Sequence, residues 1–259
     1  MLQHESTYQG LNSGKCWQKS HAILFDKDGT IIDFKAIWLK WCQKIVKEAS
    51  EHVPDVNMSE VIKVWGVDLA TGDVKPDGLL AMGSSQHMCV ALANSIRERQ
   101  HFLSKSATLD LAASLIDSAH QNVPKDWVRP IPGLPEFIKA LYDQGYLLAV
   151  VTTDDTGEAR KHLNALGLDK YFQVILGCDL VANCKPAPDL VLEACSRLEV
   201  SPQLSTVIGD TVGDMRMGKE AGVQCLVGVS SGVTPEEKLA LEADLVLPSA
   251  ADLISKTSN

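Results

Sequence analysis

The sequence contains no apolar run long enough to cross a lipid bilayer, and its first twenty residues lack the apolar centre of a signal peptide. It is also poor in positive charge, because 24 Lys and Arg stand against 33 Asp and Glu, a formal net charge of −9. Acidic chains bind nucleic acid and anionic membranes poorly. We therefore expect no nucleic-acid partner and no membrane partner. A small anionic substrate is compatible with this charge, since a metal ion or a nearby Lys can reverse the field within one pocket.

The seven cysteines are scattered and include no C-x-x-C pair, which argues against a zinc site. This pattern is typical of reduced, mostly buried thiols in a cytosolic protein, so we expect a cytoplasmic location. Residues 1–20 are polar, and we expect them to form a flexible extension before the first strand.

Short apolar runs that end in turn residues alternate with helical patterns through most of the chain. The runs lie at 21–25, 146–151, 172–176, 206–208, 224–227 and 244–247. The helical patterns between them cover 135–144, 157–166, 188–198 and 215–221. Continuous apolar runs suit buried parallel strands, and their alternation with helices is typical of a parallel sheet covered on both faces. We therefore predict an α/β fold.

Residues 36–125 differ, because apolar side chains recur there at helical spacing and no convincing strand is present. Trp38 and Trp41 lie early in this pattern and are expected to anchor a hydrophobic core. A chain of 259 residues is long enough for a core domain that carries a smaller insert. We predict a core over 21–35 and 126–259 with a helical insert over 36–125.

The first apolar run ends in the acidic motif Asp26-Lys27-Asp28-Gly29-Thr30. Two carboxylates two residues apart on a strand point the same way, and ligands bind at the carboxyl end of strands in open α/β sheets. Asp26 could therefore act as a nucleophile and Asp28 as a proton shuttle. The alternative is a calcium loop, which would continue with further oxygen ligands, whereas Ile31 and Ile32 follow here.

Two weaker motifs follow later strands. Thr152 and Thr153 end an apolar run, where a hydroxyl and free backbone N–H groups can hold a phosphoryl group or simply cap a helix. Lys185 is bracketed by turn residues, and a fixed ammonium there could offset the charge of a carboxylate and a phosphoryl group. A lone Lys is more often a solvated surface charge.

A last pair of carboxylates, Asp210 and Asp214, follows the run at 206–208. Hard oxygen ligands at the mouth of a parallel sheet suit magnesium, although an N-cap and a turn Asp give the same pattern. Together with Asp26 and Asp28 they would repel one another strongly unless a divalent cation lay among them. The whole set therefore predicts a Mg²⁺ site more strongly than any one motif does.

In its motifs DKDGT, VVTT, KPAPD and GDTVGD, taken in order, the sequence resembles the haloacid dehalogenase-like superfamily, and within it the phosphoglycolate phosphatase-like branch. The resemblance covers about residues 21–250. It implies a Rossmann-like catalytic core, a helical cap inserted after the first motif, and hydrolysis of a small phosphorylated metabolite with Mg²⁺. The cap of residues 36–125 matches the branch weakly.

The resemblance also implies catalytic roles for three residues. Asp26 is expected to be the nucleophile, which receives the phosphoryl group as an aspartyl-phosphate. Asp28 is expected to protonate the leaving oxygen and then to activate water. Lys185 is expected to orient Asp26 and to neutralise charge at the phosphoryl group.

Binding roles are implied for the remaining motif residues. Thr152 and the backbone of Thr153 are expected to hold the phosphoryl oxygens, together with Lys185. The metal is expected to be bound by Asp26, the backbone carbonyl of Asp28, Asp210 and Asp214.

Other activities of the same fold compete with this interpretation. A dehalogenase needs no metal, and Asp28, Asp210 and Asp214 argue against it. A phosphosugar mutase would carry the same four motifs. A non-catalytic binding protein on this fold would be favoured by loss of the motif residues, all of which are present. The substrate is left open between phosphoglycolate, a sugar phosphate, a nucleotide monophosphate and a pyrophosphate, and the oligomeric state is left open as well.

Overall fold

The apolar runs of the sequence form the strands of one central sheet. The computed structural model describes residues 13–53, 56–100, 103–121 and 123–255, and eight strands form within these ranges. They are β1 (Ala22–Phe25), β2 (Val67–Asp68), β3 (Asp73–Val74), β4 (Leu147–Val151), β5 (Val174–Leu176), β6 (Ser205–Gly209), β7 (Cys225–Val229) and β8 (Leu245–Leu247). Six of them pair in parallel in the order β5-β4-β1-β6-β7-β8.

Helices connect the strands of this sheet and form most of the segment between β1 and β4. Over the described ranges they are α1 (Phe34–His52), α2 (Met58–Val64), α3 (Leu79–Met82), α4 (Ser85–Arg99), α5 (Lys105–Gln121), α6 (Leu134–Asp143), α7 (Thr156–Ala165), α8 (Asp189–Arg197), α9 (Val212–Ala221), α10 (Glu236–Leu239) and α11 (Asp252–Ser255). Parallel strands need such crossover connections. The predicted α/β fold with a Rossmann-like parallel sheet is confirmed.

Strand β1 lies at the centre of the sheet and brings three motifs to one edge. Phe25 pairs in register with Val150 of β4 and with Ile208 of β6. The backbone N–H of Asp26 donates to the carbonyl of Ile208 at 2.8 Å. The residues that follow these three strands therefore leave the sheet side by side at its carboxyl edge.

The segment predicted as a helical insert holds helices α1 to α5. The expectation that it contains no strand is wrong, because β2 and β3 form an antiparallel hairpin there. Its turn is held by Asp68, whose side chain accepts from the N–H of Ala70 at 2.9 Å, and by Gly72 at φ +74°. Strands of two residues carry no hydrophobic periodicity, so the sequence pattern could not reveal them. The division into a core and a cap stays a prediction.

Aromatic side chains of α1 anchor this segment as expected. Trp41 is fully buried and stacks on Trp65 and on His120 at centroid distances of 5.7 and 4.9 Å. Trp38 is 6% exposed and meets Trp41 edge-on. The same hydrophobic cluster continues to Phe25 of β1, so the helices of this segment pack with one set of sheet side chains, while others such as Leu24 belong to a second cluster.

Part of the N-terminal segment lies within the described residues. Residues 1–12 of the expected extension lie outside the described residues. Ser13–Lys19 forms a 3-10 helix, and Trp17 is buried against Tyr146 at a centroid distance of 6.1 Å. No helix in the described ranges has the length and apolar character to cross a bilayer.

Four of the seven cysteines are paired, which corrects the expectation of reduced thiols. Cys16 is joined to Cys225 and Cys178 to Cys184, with Cα–Cα distances of 5.6 and 5.3 Å that suit disulfides. Folding brings Cys16 and Cys225 together across 209 residues, a proximity that no spacing pattern reveals. Cys42, Cys89 and Cys195 are free thiols. The cytoplasmic location inferred from the cysteines stays a prediction.

Candidate active site

Three carboxylates and one ammonium meet where β1 and β6 end. The carboxylates of Asp26, Asp210 and Asp214 each offer an oxygen, and these atoms all lie within 4.8 Å of one another. Lys185 Nζ lies 2.5 Å from Asp26 Oδ1 and 2.6 Å from Asp214 Oδ1. The structure thus brings together four residues that lie up to 188 positions apart in the sequence.

Burial governs the charge of this cluster. Burial raises the pKa of Asp26 to about 7, with a further rise from Asp214 and only partial relief from Lys185. Burial, Asp26 and Asp214 hold the pKa of Asp210 well above its usual value. For Lys185, burial acts to lower the pKa, but Asp214 and Asp26 outweigh it and hold the pKa above its usual value. If all three were ionised, the carboxylates would carry more negative charge than one Lys can balance, and burial opposes that state.

The chemistry of these residues fits a divalent cation. Asp210 is fully buried, and its Oδ1 finds no hydrogen-bond partner among the described residues. A buried oxygen without a donor is costly, and a cation would satisfy it. Carboxylate oxygens are the ligands that Mg²⁺ prefers. Asp26, Asp210 and Asp214 are therefore the residues that could hold the metal.

Backbone close to Asp210 fixes its position. The N–H of Val233 donates to Asp210 Oδ2 at 3.0 Å. A Cβ added at Gly29 would lie 2.5 Å from the same oxygen, and one added at Gly232 only 1.8 Å away. Gly29 also has φ +82°, a conformation that other residues rarely adopt. Two loops thus enclose the carboxylate at distances that only glycine allows.

Asp214 is oriented by the start of α9. The N–H and hydroxyl of Thr211 donate to Asp214 Oδ2 at 3.0 and 2.6 Å, and the N–H of Asp214 donates back to the Thr211 hydroxyl at 3.2 Å. This is a capping box, which satisfies free N–H groups of the first helical turn. Because Oδ2 is used by the cap, Oδ1 faces Lys185. Asp214 therefore serves both as a helix cap and as part of the acidic cluster.

Asp28 lies beside a buried cation that the sequence analysis missed. Lys27 is fully buried, and its Nζ lies 2.7 Å from Asp28 Oδ2, 3.2 Å from Asp154 Oδ2 and 3.1 Å from His162 Nδ1. Burial acts to lower the pKa of Lys27, but Asp28 and Asp154 outweigh it and raise that pKa. Burial and the adjacent Lys27 lower the pKa of His162 to about 3, so its ring is neutral.

A signal for Lys27 does exist in the sequence. Asp26 and Asp28 point to one side of the extended chain, so the residue between them points to the other side, into the packed helices. A Lys at such a position needs a buried carboxylate partner. Asp154 supplies it from the motif after β4.

The two predicted phosphate-binding threonines lie in different surroundings. Thr153 lines the cavity over the acidic cluster. Thr152 is buried, and its hydroxyl accepts from the N–H of Asp154 at 3.2 Å, so its side chain is used within the loop. A phosphate-binding role for both residues stays a prediction.

The cavity at this edge contains most of the predicted site residues. Asp26, Asp28, Lys185, Asp210 and Asp214 line it. Residues of α1, α3 and α4 line the same cavity. The segment between β1 and β4 therefore contributes to the cavity that holds the acidic cluster.

Comparisons with known proteins identify the family. The family profile described as haloacid dehalogenase-like hydrolase matches residues 79–228. The pyrophosphatase PpaX of Listeria monocytogenes serotype 4a (strain HCC23) is 34% identical over 238 residues, 92% of this chain and 96% of PpaX. The probable phosphatase IndB of Dickeya dadantii (strain 3937) is 36% identical over 124 residues, 48% of this chain and 54% of IndB.

A solved structure supports the fold. The crystal structure of a predicted phosphoglycolate phosphatase from Haemophilus somnus 129pt has a TM-score of 0.68 and 22% identity, covering 93% of this chain and 99% of that one. The profile match over more than half of the chain and the full-length similarity to PpaX decide the family. The chain belongs to the haloacid dehalogenase-like hydrolases and is an enzyme of the phosphatase kind.

Proposed function

We propose that this enzyme is a magnesium-dependent phosphatase that hydrolyses a small phosphate monoester through an aspartyl-phosphate on Asp26. The observation that carries the proposal is the meeting of Asp26, Asp210 and Asp214 within 4.8 Å, with Lys185 against two of them. A phosphoryl group adds negative charge to this site. Lys185 and a divalent cation are the groups that would offset it.

The residues divide the chemistry between them. A bound Mg²⁺ would neutralise charge on the phosphoryl oxygens and on the carboxylates of Asp26, Asp210 and Asp214. Asp26 attacks phosphorus with one carboxylate oxygen while the bond to the leaving oxygen breaks. Asp28 gives a proton to that leaving oxygen. Lys185, held 2.5 Å from Asp26 Oδ1, keeps the nucleophile oriented.

The second half of the reaction restores the enzyme. Asp28, now a carboxylate, takes a proton from a water molecule as the water attacks phosphorus. The bond between Asp26 and phosphorus breaks, inorganic phosphate leaves, and Asp28 is again protonated. Asp28 has one carboxylate oxygen, Oδ1, without a partner among the described residues, while Oδ2 faces Lys27. That free oxygen is the one we assign to both proton transfers.

The names of relatives are consistent with a small phosphorylated substrate. PpaX is named a pyrophosphatase, and the Haemophilus somnus structure is described as a predicted phosphoglycolate phosphatase. A phosphosugar mutase would return the phosphoryl group to a sugar and would release little inorganic phosphate. Release of inorganic phosphate from the ester therefore separates the two activities.

Turnover of p-nitrophenyl phosphate tests the proposal. We expect phosphate release that depends on Mg²⁺ and stops when the metal is chelated. Asp26→Asn should lower kcat by roughly 1,000-fold or more, because the nucleophile is lost. The variant should still melt cooperatively, which shows that it is folded.

A matched control uses an exposed carboxylate. Asp143→Asn changes an exposed residue that pairs with Lys139 on α6, and it should leave turnover unchanged. Near-normal turnover of Asp26→Asn, or activity that persists without a divalent cation, would contradict the proposed route.

A further inference from the structure

The cavity lining that the segment between β1 and β4 contributes, here called the apolar wall, is mostly apolar. It is formed by Phe34 and Trp38 of α1, Leu80 and Met82 of α3, and Met88 of α4. Ser85 also lines it, and its hydroxyl already donates to Asp155 Oδ2 at 3.4 Å. The leaving group of a substrate whose phosphorus lies at Asp26 would extend toward this wall.

The apolar wall reaches down to the catalytic residues. A Cβ built at Gly213 would lie 3.5 Å from the Met82 methyl carbon and 3.8 Å from Lys185 Cβ. The turn between α3 and α4 is tight, because a Cβ at Gly83 would lie 2.5 Å from the carbonyl oxygen of Leu79. Met82 of α3 therefore lies next to Gly213 and Lys185.

The cations of this region are already engaged. Lys185, the cation among the described cavity-lining residues, lies within 2.6 Å of both Asp26 and Asp214. Lys27 is fully buried behind the site, between Asp28 and Asp154. A second anionic group on the substrate would enter a cavity lined by five Asp residues and find no free cation in the described part of its wall.

We propose that the preferred substrates carry an uncharged, largely apolar leaving group, an alicyclic or aromatic alcohol, and that Trp38, Leu80 and Met88 select it. This inference rests on the proposed phosphatase activity and names the substrate class of the same site. Each apolar group that the substrate buries against this wall makes the free energy of binding more favourable. A carboxylate or a second phosphate would be desolvated without a partner. Phosphoglycolate-type esters and the anhydride pyrophosphate are therefore disfavoured as substrates.

Two pairs of matched esters test the selection. Cyclohexylmethyl phosphate and glucose 6-phosphate are both primary phosphate esters on a six-membered ring, but only the sugar carries hydroxyls. Propyl phosphate and 2-phosphoglycolate differ chiefly in the carboxylate. With Mg²⁺ present, we expect kcat/KM to be about tenfold or more higher for the apolar member of each pair, the size of discrimination that a few apolar contacts supply.

A pair of variants on α4 tests whether the apolar wall causes the preference for apolar leaving groups. Met88→Gln keeps the length of the side chain and places an amide in the cavity. The ratio of kcat/KM for cyclohexylmethyl phosphate to kcat/KM for glucose 6-phosphate should therefore fall about tenfold. Val90→Gln changes an exposed residue of the same helix and should leave the ratio unchanged. If Met88→Gln fails to fold, as judged by thermal melting, the wild-type ratios still decide.

The outcomes separate this inference from the proposed function. Hydrolysis of all four esters with equal or better use of the charged and hydroxylated members would overturn the inference and leave the phosphatase assignment standing. Loss of the ratio in Val90→Gln as well as in Met88→Gln would also overturn it. Hydrolysis of none of these esters and of no p-nitrophenyl phosphate would overturn both proposals.

Discussion

At the scale of single residues, Lys27 is the least expected feature of the site. It is fully buried between two carboxylates, with the Trp38 ring centroid 5.7 Å from its Nζ. A buried ion pair contributes little net stability compared with an apolar pair, but removing one partner leaves an uncompensated buried charge. Lys27 therefore positions Asp28. Its ammonium is also needed for stability, because Asp28 and Asp154 would otherwise be buried without a partner of opposite charge.

Replacement of Lys27 tests this dependence. Lys27→Met preserves the length of the side chain and removes the ammonium, so we expect a loss of about 3–5 kcal/mol in the free energy of unfolding. Because Asp28 loses the group that holds its Oδ2, kcat should fall by roughly 10–100-fold with KM little changed. Urea denaturation and steady-state kinetics measure the two effects.

Two further variants give the Lys27 experiment its controls. Lys139→Met removes an exposed pair with Asp143 and should change neither stability nor kcat. Combining Lys27→Met with Asp154→Asn removes one of the two orphaned charges and should recover part of the stability. Full stability of Lys27→Met alone would show that the ammonium is not required.

At the scale of elements, the sequence pattern predicts most of what is local. The six core strands are found within two residues of the predicted bounds, because buried parallel strands are continuous apolar runs. Asp26, Lys185, Asp210 and Asp214 are predicted together because strand ends in a parallel sheet share an edge. The negative charges of the three Asp side chains, gathered at that edge, predict that a cation binds among them.

Contacts between loops are what the sequence pattern does not contain. Lys27 and His162 meet across 135 positions, and Ser231 donates to the carbonyl of Gly29 across 202 positions at 2.7 Å. Neither contact leaves a periodicity or a spacing. The loop after β7, which supports Asp210 through Val233, was therefore not predicted to belong to the site.

That loop yields a prediction at the same scale. Gly232→Ala places a methyl group 1.8 Å from Asp210 Oδ2, so the carboxylate or the loop must move. Disturbing a residue that orients a metal ligand typically costs roughly 10–100-fold in metal affinity or activity. We expect the Mg²⁺ concentration for half-maximal turnover to rise by that factor, as measured by titrating Mg²⁺ into the assay.

A second glycine provides the comparison for Gly232. Gly157 lies in α7, and a Cβ there would meet nothing within 4 Å. Gly157→Ala should leave the Mg²⁺ dependence unchanged and, through helix propensity, raise the free energy of unfolding by up to about 1 kcal/mol. An unchanged Mg²⁺ dependence in Gly232→Ala would mean that the loop does not hold Asp210.

At the scale of the whole molecule, the helices between β1 and β4 share one hydrophobic cluster with part of the sheet, and the rest of the sheet packs in a second cluster. Phe25 of β1 meets Phe137 of α6 edge-on at 6.3 Å, and Phe34 meets Trp38 at 6.4 Å within the same cluster. These apolar contacts join the helices between β1 and β4 to the sheet. Unfolding of those helices should therefore expose apolar side chains of the sheet. Tryptophan fluorescence and circular dichroism should therefore report the same melting temperature.

Because the helices and the sheet share this core, a cation that binds at the acidic cluster should stabilise the whole fold. A ligand that binds only the folded state stabilises it by RT ln(1 + [L]/Kd), about 2.7 kcal/mol at a hundredfold excess over Kd. For a domain of this size that corresponds to a rise of roughly 5–10 °C in melting temperature. We expect Mg²⁺ to produce this rise, and NaCl at the same ionic strength to produce little, because screening acts weakly on buried charges.

Asp210→Asn separates binding at the cluster from general effects of Mg²⁺. Without metal, this variant should melt higher than the wild type, since it removes a fully buried carboxylate that repels Asp26 and Asp214. With Mg²⁺ its melting temperature should rise far less, because one of the three ligands is lost. The two effects have opposite signs, so a variant that was merely misfolded could not produce both. An equal Mg²⁺ shift in wild type and Asp210→Asn would place the metal elsewhere and remove the basis of the proposed chemistry.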